Sequence, residues 1–506
     1  MGSAQLANAY YADGVKLTAA GRHHDAIGKY EQALAADPSD VRVLFALGNT
    51  ARSLGMAAPA EQFFRQVLTL DPARLEAQIN LANLLRAGGQ GRAALAVLEP
   101  ALARNPASPE LLLTLGSTHR EMGDIETAEN LYRQAIEHRS DYPEALGNLA
   151  DILADRGDVD GALALYDRAI KRDGANAQAR LNRAVLNLLK GSLKDGWRDY
   201  AARLKVTGKV PNADHRLPRW PGESLKRKRL LITAEQGIGD QIMFASVFAD
   251  VIARATAEGG SVLIECEPRL VSLFQRSFPQ ASVYASTIEQ RGGIITARYG
   301  WLKAAGGANL SIEMGSLPRL FRSDIASFPS PNAFLKPDDA ERAHWTAQLG
   351  DGPRIGLCWR SGKGGGLRDL QFAPLAQWAA FIRDLPGTLV STQYDATAAE
   401  IAELERLSGR SIVVPAALDQ KNEIDRTAAM LSTLDAVISA PTAVSWLAAS
   451  TGTPVFKLLR DTSWTSFGQS YEPFGPSCVC IGGDTSGDWD SAFAKTGAAL
   501  RQRLSA

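Results

Sequence analysis

The sequence predicts a helical solenoid (an α-solenoid) over the first two hundred residues, followed by two Rossmann-like α/β units. The solenoid is predicted by glycines spaced 34 residues apart. The α/β part is predicted by short apolar runs that alternate with helical patterns and end in glycine-rich or polar loops. A chain of 506 residues is long enough for several domains, since single cores stop growing at about 250–300 residues.

The 34-residue period is carried by three residue series in constant register. These are Gly21, Gly55, Gly89, Gly123, Gly157 and Gly191; Ala26, Ala60, Ala94, Ala128 and Ala162; and Tyr30, Phe64, Leu98, Tyr132, Tyr166 and Tyr200. With Asp-Pro or Asn-Pro pairs at several repeat ends, the pattern matches the tetratricopeptide repeat, a stacked pair of helices. We assign residues 1–205 to this superhelical array, as five full repeats and a degenerate sixth pair.

A row of polar side chains recurs on the first helices of successive repeats. The row comprises Asn49, Arg52, Asn80, Asn83, Arg86, Ser117, Arg120, Asn148 and Asp151. Residues three apart share a helical face, and the concave groove of such an array is a binding surface. Asparagine can both donate to and accept from a peptide backbone. The row either lines a groove that binds a protein or peptide, or it is an ordinary solvated face. Its constant register favours the groove.

Residues 229–244 predict a strand, a glycine loop and a helix, which is the first unit of a doubly wound sheet. In the loop, Gly237 and Gly239 allow a close approach of the backbone to a ligand, and a helix start favours negative charge. Ile242 occupies the third glycine position of the dinucleotide fingerprint, so that motif is incomplete. Asp240 is either a helix cap or a general base that faces the crevice at the strand ends.

The second α/β unit contains two loops suited to phosphate. One is a basic glycine-rich loop after a strand, where N–H groups and cationic side chains can approach a phosphate. The candidate ligand-binding residues at this end of the sheet are Trp359, Arg360, Ser361, Gly362, Lys363, Arg368 and Gln393. The other is a helix that begins at Thr442 and Ala443. A flexible surface loop is the alternative interpretation of the glycine-rich segment.

Proline-rich connections divide the rest of the chain. Residues 206–228 contain three prolines and Trp220, which predicts a packed linker. A second Phe/Pro-rich tract at residues 328–337 marks another boundary. The two Rossmann-like units are therefore expected at residues 229–337 and 338–506. In the first unit, apolar runs predict strands at residues 230–234, 261–266 and 281–285, and helical periodicity continues from residue 241 to residue 257. In the second, Asp425 is expected to cap a helix at residues 426–434.

Charge and cysteine content exclude several classes of protein. Lys plus Arg and Asp plus Glu both number 55, so nothing indicates bulk attraction to nucleic acid or to an anionic membrane. Four scattered cysteines form neither a disulfide framework nor a zinc ligand set, and they indicate reduced thiols in a cytoplasmic protein. No signal peptide and no membrane span is apparent. We therefore expect no metal, no nucleic acid and no membrane among the partners.

A set of short motifs over nearly the whole chain carries a resemblance to a known family. They are Trp197-Arg-Asp-Tyr200, Arg219-Trp-Pro-Gly-Glu223, Glu235-Gln-Gly-Ile-Gly-Asp240, Gly315-Ser-Leu-Pro318, Gly356-Leu-Cys-Trp-Arg360, Ser391-Thr-Gln393, Thr442-Ala443 and Gly452-Thr-Pro-Val455. The set resembles bacterial tetratricopeptide-linked glycosyltransferases with a GT-B, heptosyltransferase-like catalytic half. The arrangement is similar to the FlmG-type flagellin glycosyltransferases, and its layout is analogous to the eukaryotic O-GlcNAc transferase.

The resemblance implies an inverting, metal-independent transfer of a sugar from a nucleotide donor to Ser or Thr of a protein. It places the donor on residues 338–506 and the acceptor side on residues 229–337, with Asp240 where relatives carry their proposed base. It further implies a nonulosonic acid (pseudaminic or legionaminic) from a CMP-sugar, and no other cofactor. The implied partner of the repeats is flagellin or its chaperone complex.

Two positions depart from that family. Relatives often have an acidic or amide residue before the Thr-Ala pair and a histidine four residues after the threonine, where this chain has Pro441 and Trp446. Donor contacts made by those side chains in relatives cannot be transferred to this chain. The alternatives are a catalytically inactive scaffold that binds a nucleotide-sugar, and a related enzyme with a glycan acceptor. The presence of Asp240, Arg360 and the glycine loop favours an enzyme over the inactive scaffold. A groove suited to peptides and the lack of an amphipathic membrane helix argue against the glycan acceptor.

Overall fold

The computed structural model describes residues 3–206, 210–291, 294–328, 333–362 and 366–505. The chain divides into two compact units, Met1–Ala179 and Arg180–Ala506. The described part of the first unit is helical, and that of the second contains three β-sheets. In the described residues, every helix is too short or too polar to cross a bilayer.

Five helix pairs build the described part of the first unit. They are α1 (Ser3–Ala19), α2 (His23–Ala36), α3 (Val41–Ser53), α4 (Ala57–Leu70), α5 (Leu75–Ala87), α6 (Gly91–Arg104), α7 (Pro109–Glu121), α8 (Ile125–His138), α9 (Pro143–Asp155) and α10 (Val159–Arg172). The periodic glycines lie in the turns inside the pairs with φ of 72° to 87°, a conformation that side chains with a Cβ resist. The predicted series of helical repeats is thereby confirmed.

The periodic alanines and aromatic residues hold the pairs together. Ala60 and Phe64 are fully buried, and a Cβ added to Gly48 on the facing helix would lie 2.7 Å from the Phe64 ring. The same contact recurs between Gly116 and Tyr132, also at 2.7 Å. The aromatic series therefore requires a small residue on the first helix of the pair, which explains why two helices pack so closely.

The degenerate sixth pair, α11 (Ala177–Leu189) and α12 (Leu193–Tyr200), falls almost entirely in the second unit. The boundary between the units therefore precedes α12 instead of following residue 205, where the repeat pattern placed it. Trp197 is buried, with its ring centre 5.7 Å from that of Phe467 and 6.2 Å from that of Phe474. These large aromatic contacts attach α12 to the core of the sheet-containing unit.

The first half of the second unit is built around a four-stranded parallel sheet. Its strands and helices are β1 (Asn212–Ala213), β2 (Arg229–Thr233), α13 (Ile238–Ala245), α14 (Phe248–Ala257), β3 (Ser261–Cys266), α15 (Val271–Ser277), β4 (Ser282–Ala285), β5 (Ile288–Arg291), β6 (Ile294–Ala297), β7 (Leu310–Glu313) and α16 (Pro318–Phe321). The main sheet has the order β4-β3-β2-β7, and β1-β6-β5 form a small separate sheet. The predicted strands β2, β3 and β4 are confirmed to within one residue at either end.

The helix predicted to continue from residue 241 to residue 257 is instead two helices, α13 and α14. The Ser246 hydroxyl donates to the Met243 carbonyl over 2.8 Å, and the buried Arg322 guanidinium donates to the Ser246 carbonyl over 3.3 Å. Both bonds occupy carbonyl groups that would otherwise accept the backbone hydrogen bonds of a continuous helix, and the helix ends there.

The second half contains a six-stranded parallel sheet. Its elements are α17 (Asp339–Leu349), β8 (Arg354–Cys358), α18 (Leu375–Ile382), β9 (Thr388–Ser391), α19 (Ala398–Ser408), β10 (Ile412–Val413), α20 (Ile424–Leu431), β11 (Ala436–Ser439), α21 (Ala443–Ser450), β12 (Val455–Leu459), β13 (Cys478–Gly482) and α22 (Trp489–Leu504). The strand order is β10-β9-β8-β11-β12-β13.

In both sheets, the order in which strands are added reverses beside the first long strand. The chain runs from β8 outward to β10 and then returns to the other side of β8 with β11; β2 and β7 do the same in the first sheet. In doubly wound sheets, ligands bind beyond the carboxyl ends of the strands at this switch point. The topology therefore directs attention to the ends of β2, β8 and β11.

Candidate functional site

A cavity of about 810 Å³ lies beyond the carboxyl ends of strands from both sheets. The first sheet contributes the start of α13, and the second contributes the start of α21 and residues that follow β12. Two further cavities of about 450 Å³ lie beside Pro353 and Pro454, at the amino ends of strands. Of these three cavities, the one between the sheets has the position expected for a ligand site of a doubly wound fold.

Asp240 lines this cavity from the first turn of α13. The helix is preceded by Gly237, whose N–H donates to Asp240 Oδ2 over 3.2 Å. Asp240 thus makes a capping-type hydrogen bond from the third helical position, while its carboxylate is half-buried at the cavity wall. Its role as a base stays a prediction.

The second glycine of the loop is explained by helix packing. A Cβ added to Gly239 would lie 3.3 Å from the Ala443 Cα and 3.6 Å from Trp446 Cδ1. The first turns of α13 and α21 therefore touch across the cavity edge, and a side chain at position 239 would push them apart. The sequence predicts that this glycine approaches a ligand; Gly239 does line the cavity, and its close neighbour there is the other half of the unit.

The start of α21 contributes Thr442 and Ala443 to the same cavity, together with Ser361 after β8. Thr442 Oγ1 accepts from the Val444 N–H over 3.3 Å, which makes Thr442 the N-cap of the helix. The structure therefore brings Asp240 and the predicted helix-start residues to one cavity. Their donor-binding roles stay predictions.

Arg360 was predicted to bind donor phosphate, yet its guanidinium is engaged inside its own half of the unit. Nε and Nη2 donate to the two carboxylate oxygens of Glu400 over 2.6 and 2.8 Å, and Nη1 donates to Asp395 Oδ1 over 3.0 Å. Arg360 is not among the residues that line the cavity. A bidentate, charge-assisted pair of this kind gives Arg360 a structural role in this conformation.

Gln393 and Trp359 belong to the same internal network. Gln393 Oε1 accepts from the backbone N–H groups of Trp359 and Arg360 over 3.1 and 3.0 Å, and its Nε2 donates to Asp395 over 2.7 Å. The Trp359 ring is buried, and its Nε1 donates to Glu400 over 3.3 Å. These predicted donor ligands thus hold the loop after β8 in place, because their hydrogen-bonding groups are already used.

The rest of the predicted glycine-rich phosphate loop is only partly described. Gly362 is exposed, and a Cβ there would lie 2.0 Å from the Tyr394 hydroxyl. Lys363 lies outside the described residues. Arg368 belongs to a short 3₁₀ helix (Gly366–Gln371), and its side chain is also outside the described part. The phosphate-binding role of this loop stays a prediction.

We expect Arg360→Ala to lower the melting temperature at neutral pH. The Arg360 guanidinium lowers the pKa of Glu400 to about 2 from its usual 4.5, so the pair contributes stability that is complete above about pH 4.5 and lost as the pH falls toward 2. The difference in melting temperature between the wild type and Arg360→Ala should therefore narrow between pH 5 and pH 3. Differential scanning fluorimetry over that range measures it.

The matched control is Arg406→Ala, which removes an exposed arginine from α19, the helix that carries Glu400. Its melting temperature should equal that of the wild type at pH 5 and at pH 3. If Arg360→Ala also melts like the wild type at pH 7 but loses nucleotide binding, the phosphate role is correct and the structural role is wrong.

Lys457 on β12 is a cavity residue that the sequence interpretation missed. Its Nζ donates to Glu472 Oε1 over 2.6 Å and lies 4.3 Å from the centre of the Trp446 ring. Burial lowers the pKa of Lys457, but the Glu472 carboxylate together with Cys478 and Cys480 outweighs that effect, so the pKa lies above its usual value. The side chain is therefore a protonated ammonium at neutral pH.

A second buried ion pair lies close to the glycine loop. Arg203 donates to both oxygens of Glu235 over 2.8 and 2.6 Å, and Glu235 Oε1 also accepts from the Gly315 N–H over 2.6 Å. Ser316 Oγ accepts from Arg203 and from Arg219, each over 2.8 Å. Three of the sequence motifs, those that contain Arg219, Glu235 and Gly315, therefore converge on an internal network that joins the turn after α12, the linker and the first sheet.

The two halves of the second unit are also joined by an ion pair between helices. Arg276 on α15 makes two hydrogen bonds of 2.7 Å to the carboxylate of Asp425 on α20. The sequence interpretation made Asp425 the N-cap of its helix. In the structure Glu423 precedes the helix and Asp425 lies in its first turn, where it is used for the contact with the first half.

The predicted polar row of the repeats forms a continuous set of contacts between adjacent first helices. Hydrogen bonds run from Asn80 Nδ2 to Asn49 Oδ1 (3.0 Å), Arg86 Nη2 to Asn83 Oδ1 (3.3 Å), Arg120 Nη1 to Asp151 Oδ2 (3.0 Å) and Asn148 Nδ2 to Ser117 Oγ (3.4 Å). Arg52 is exposed beside them. The Arg86–Asn83 bond lies within α5, and the others link α3 to α5 and α7 to α9. Arg86 Nη1 also donates to Glu121 on α7 over 2.5 Å, which joins α5 to α7. The use of the row as an acceptor site stays a prediction.

Comparison with known families supports the repeat assignment. Two profiles described as "Tetratricopeptide repeat" match residues 11–74, 113–176 and 153–212, and residues 51–117 and 85–132, respectively. The chain contains tetratricopeptide repeats. Such repeats serve as surfaces for protein–protein interaction, through the extended face that stacked helices create.

A curated relative also matches beyond the tetratricopeptide array. Protein FlbA of Caulobacter vibrioides is 35% identical over 338 residues, which cover 64% of this chain and 55% of FlbA. The chain thus spans about half the length of this relative. Because 64% of the chain exceeds the tetratricopeptide array, the similarity reaches into the part with the parallel sheets.

Solved structures also match about a third of the chain. A thermophilic tetratricopeptide protein of Thermus thermophilus is 27% identical, with a TM-score of 0.32, and the match covers 36% of this chain and 99% of that protein. The protein MamA is 25% identical, with a TM-score of 0.29 and coverage of 33% and 96%.

The sequence contains a signal for one of the two residues of the Lys457–Glu472 pair. Lys457 interrupts the apolar run Val455-Phe-Lys-Leu-Leu459, and a charged residue at a fully buried strand position was an available signal. The pairing of that lysine with Glu472 had no sequence signal, because the two residues are separated by a long loop.

Proposed function

We propose that this protein is a glycosyltransferase that moves a sugar from a nucleotide donor to a hydroxyl group of a protein. The observation that carries the proposal is the cavity between two doubly wound parallel sheets, which unites Asp240 with the start of α21. Two Rossmann-like halves facing each other across a ligand cleft are the arrangement that the GT-B resemblance implies.

The donor would occupy the side of the cavity formed by the second sheet. Thr442 and Ala443 present the amino end of α21, where a phosphate is favoured by N–H groups and the helix dipole. Lys457 adds an ammonium group, paired with the Glu472 carboxylate, in the same wall. A volume of about 810 Å³ falls in the range of pockets that enclose ligands of nucleotide size, roughly 300–1,000 Å³.

The acceptor hydroxyl would approach Asp240 from the first sheet. A serine or threonine hydroxyl is a poor nucleophile at neutral pH, so direct displacement of the nucleotide benefits from a base held against it. Asp240 is the carboxylate of the α13 first turn that lines the cavity. In this proposal the transfer inverts the anomeric carbon and needs no metal, since the helix start and Lys457 stabilise the departing phosphate.

The acceptor and the sugar are proposed from the resemblance. Similarity to flagellin glycosyltransferases supports flagellin, or its chaperone complex, as the cytoplasmic partner of the tetratricopeptide face. The same similarity supports a nonulosonic acid, delivered as a CMP-sugar, as the donor. The test is intact-mass spectrometry of flagellin incubated with the purified protein and CMP-linked pseudaminic or legionaminic acid. A mass increase of one sugar residue per modified hydroxyl is expected.

A nucleotide-sugar-binding scaffold without transfer is the second candidate. One observation favours it: Arg360, which the glycine-rich loop after β8 predicts as a phosphate ligand, is engaged by Glu400 and Asp395. The scaffold would bind nucleotide and acceptor but leave the acceptor mass unchanged. Binding of both without any mass shift would therefore replace the transferase proposal by this one.

We expect acceptor binding to depend on the polar row of the repeats. Replacing Asn80, Asn83 and Arg86 together by alanine should weaken binding of the acceptor protein roughly 10-fold or more, because each lost hydrogen bond contributes about 0.5–1.5 kcal/mol. Nucleotide binding should not change, since the cavity residues are untouched. Titration of the acceptor by isothermal calorimetry measures the first effect.

The control is a triple alanine variant on α6, the second helix of its pair. Arg92, Glu99 and Arg104 are exposed on α6, so their replacement by alanine should leave acceptor affinity unaltered. Equal losses in the two triple variants, or no loss in the first, would exclude the first-helix face as the acceptor site.

A further inference from the structure

Lys457 is a buried cation in the wall of the cavity. Its side chain is 3% exposed, and that of its partner Glu472 is 0% exposed. Removing a lysine and a carboxylate from water disfavours folding, and a well-packed apolar pair often serves the fold as well. The charge at this position therefore suggests a use beyond stability.

The hydrogen bonds of Lys457 leave part of the ammonium unused. An ammonium has three N–H donors. Within the described residues, Glu472 Oε1 is its one hydrogen-bond acceptor, and the Trp446 ring covers a second direction. Since Lys457 also lines the cavity beside Thr442 and Ala443, a third donor is available to a bound ligand.

Glu472 acts as the anchor of this lysine. Its Oε1 also accepts from the Ser463 hydroxyl over 2.9 Å and from the Cys480 thiol over 3.5 Å. These bonds fix the carboxylate, which in turn fixes the ammonium against the face of Trp446. A cation held in this way loses little further conformational entropy when an anion binds.

We propose that Lys457 is the anion-recognition residue of the cavity, and that its ammonium binds a phosphate or a sugar carboxylate of the nucleotide-sugar beside the start of α21. The proposal rests on the proposed function, because it takes a nucleotide-sugar to be the occupant. Both candidate groups are anionic oxygen acceptors, and both match a fixed ammonium next to a helix amino end.

The experiment removes the charge pair without leaving an isolated carboxylate. Lys457→Met with Glu472→Leu replaces the pair by apolar side chains, and Lys457→Gln with Glu472→Gln keeps an uncharged hydrogen-bonded pair in case the first variant does not fold. Thermal melting identifies the folded variants. The probes are the four ribonucleoside 5′-monophosphates, their uncharged nucleosides, and free N-acetylneuraminate.

We expect the wild type to bind one monophosphate more tightly than its nucleoside. In the folded pair variant the affinity for that monophosphate should fall about 10- to 100-fold, as for the loss of a hydrogen bond to a charged group, while the nucleoside affinity stays the same. A loss confined to N-acetylneuraminate would instead identify the sugar carboxylate as the bound anion. Lys303→Met removes an exposed cation that does not line this cavity and should change neither affinity.

The remaining outcomes overturn the proposal in distinguishable ways. If the wild type binds nucleotide and the pair variants bind every probe as well as the wild type does, Lys457 is a structural residue and the proposed function stands. If the wild type binds none of the probes, the nucleotide-sugar site itself is rejected, and the role of Lys457 is rejected with it.

Discussion

Asp240→Asn is expected to reduce sugar transfer by about 10²–10⁴-fold, the usual contribution of a general base. Asparagine has nearly the same size, and its side-chain oxygen can still accept from the Gly237 N–H that Asp240 now binds. It cannot take a proton from the acceptor hydroxyl. The variant should therefore fold and bind nucleotide normally. Single-turnover transfer, followed by the mass of the acceptor, measures the loss.

Asp461→Asn is the matched control for this experiment. Asp461 is another carboxylate of the cavity, exposed and only 3.9 Å from Arg460, so the same chemical change is made in the same cavity. Its transfer rate should stay within a few-fold of the wild type. Near-normal transfer by Asp240→Asn would make Asp240 a helix cap. Glu235 and Glu313 would not replace it readily, since each is already paired with an arginine.

Arg203→Met is expected to lower the free energy of unfolding by about 3–5 kcal/mol, the usual cost of leaving one member of a buried ion pair unpaired. Arg203 and Glu235 have exposed fractions of 3% and 0%, so water cannot replace the lost guanidinium. The loss should affect the sheet-containing unit and leave the helical repeats folded. Urea unfolding followed by tryptophan fluorescence, together with circular dichroism for the repeats, measures both.

Two comparisons make this prediction specific. Arg319→Met changes an exposed arginine of α16 and should cost little. Arg203→Met combined with Glu235→Leu removes both charges and should recover much of the lost stability, because no isolated carboxylate remains. A double variant as unstable as Arg203→Met would show that packing, instead of charge pairing, makes Arg203 important.

The helical repeats were predictable because their determinants are local. A turn glycine such as Gly55, with φ of 74°, and a buried alanine such as Ala60 recur every 34 residues. The end of the array was less predictable. The sixth pair keeps the spacing with Gly191 and Tyr200, but its aromatic side chains pack on the second unit, and periodicity carries no information about that contact.

The sheets were predictable where a strand is apolar and followed by a clear loop. β2 and β8 satisfied both conditions, whereas β12 contains Lys457 and β13 follows a long irregular segment. Strands of two to four residues, as in the small sheet of β1, β5 and β6, are too short for a periodic signal.

The residues of the candidate site divide along similar lines. Asp240 and Thr442 were found because their position depends on a strand, a loop and a helix that are adjacent in sequence. Arg360 looked suited to phosphate, but its partners Asp395 and Glu400 lie 35 and 40 residues further along the chain. Whether a cation is already neutralised is a property of the tertiary structure, which the sequence pattern does not contain.

The position of the unit boundary has a consequence for protein engineering. The five pairs from α1 to α10 behave as cassettes of 34 residues, since each pair is held by its neighbours. Under the proposed function, we expect that exchanging cassettes from another solenoid would alter acceptor choice while the sheet-containing unit is kept. The graft must be joined ahead of Arg180, because a junction after α12 would discard Trp197 and Tyr200, whose rings complete the core of the recipient.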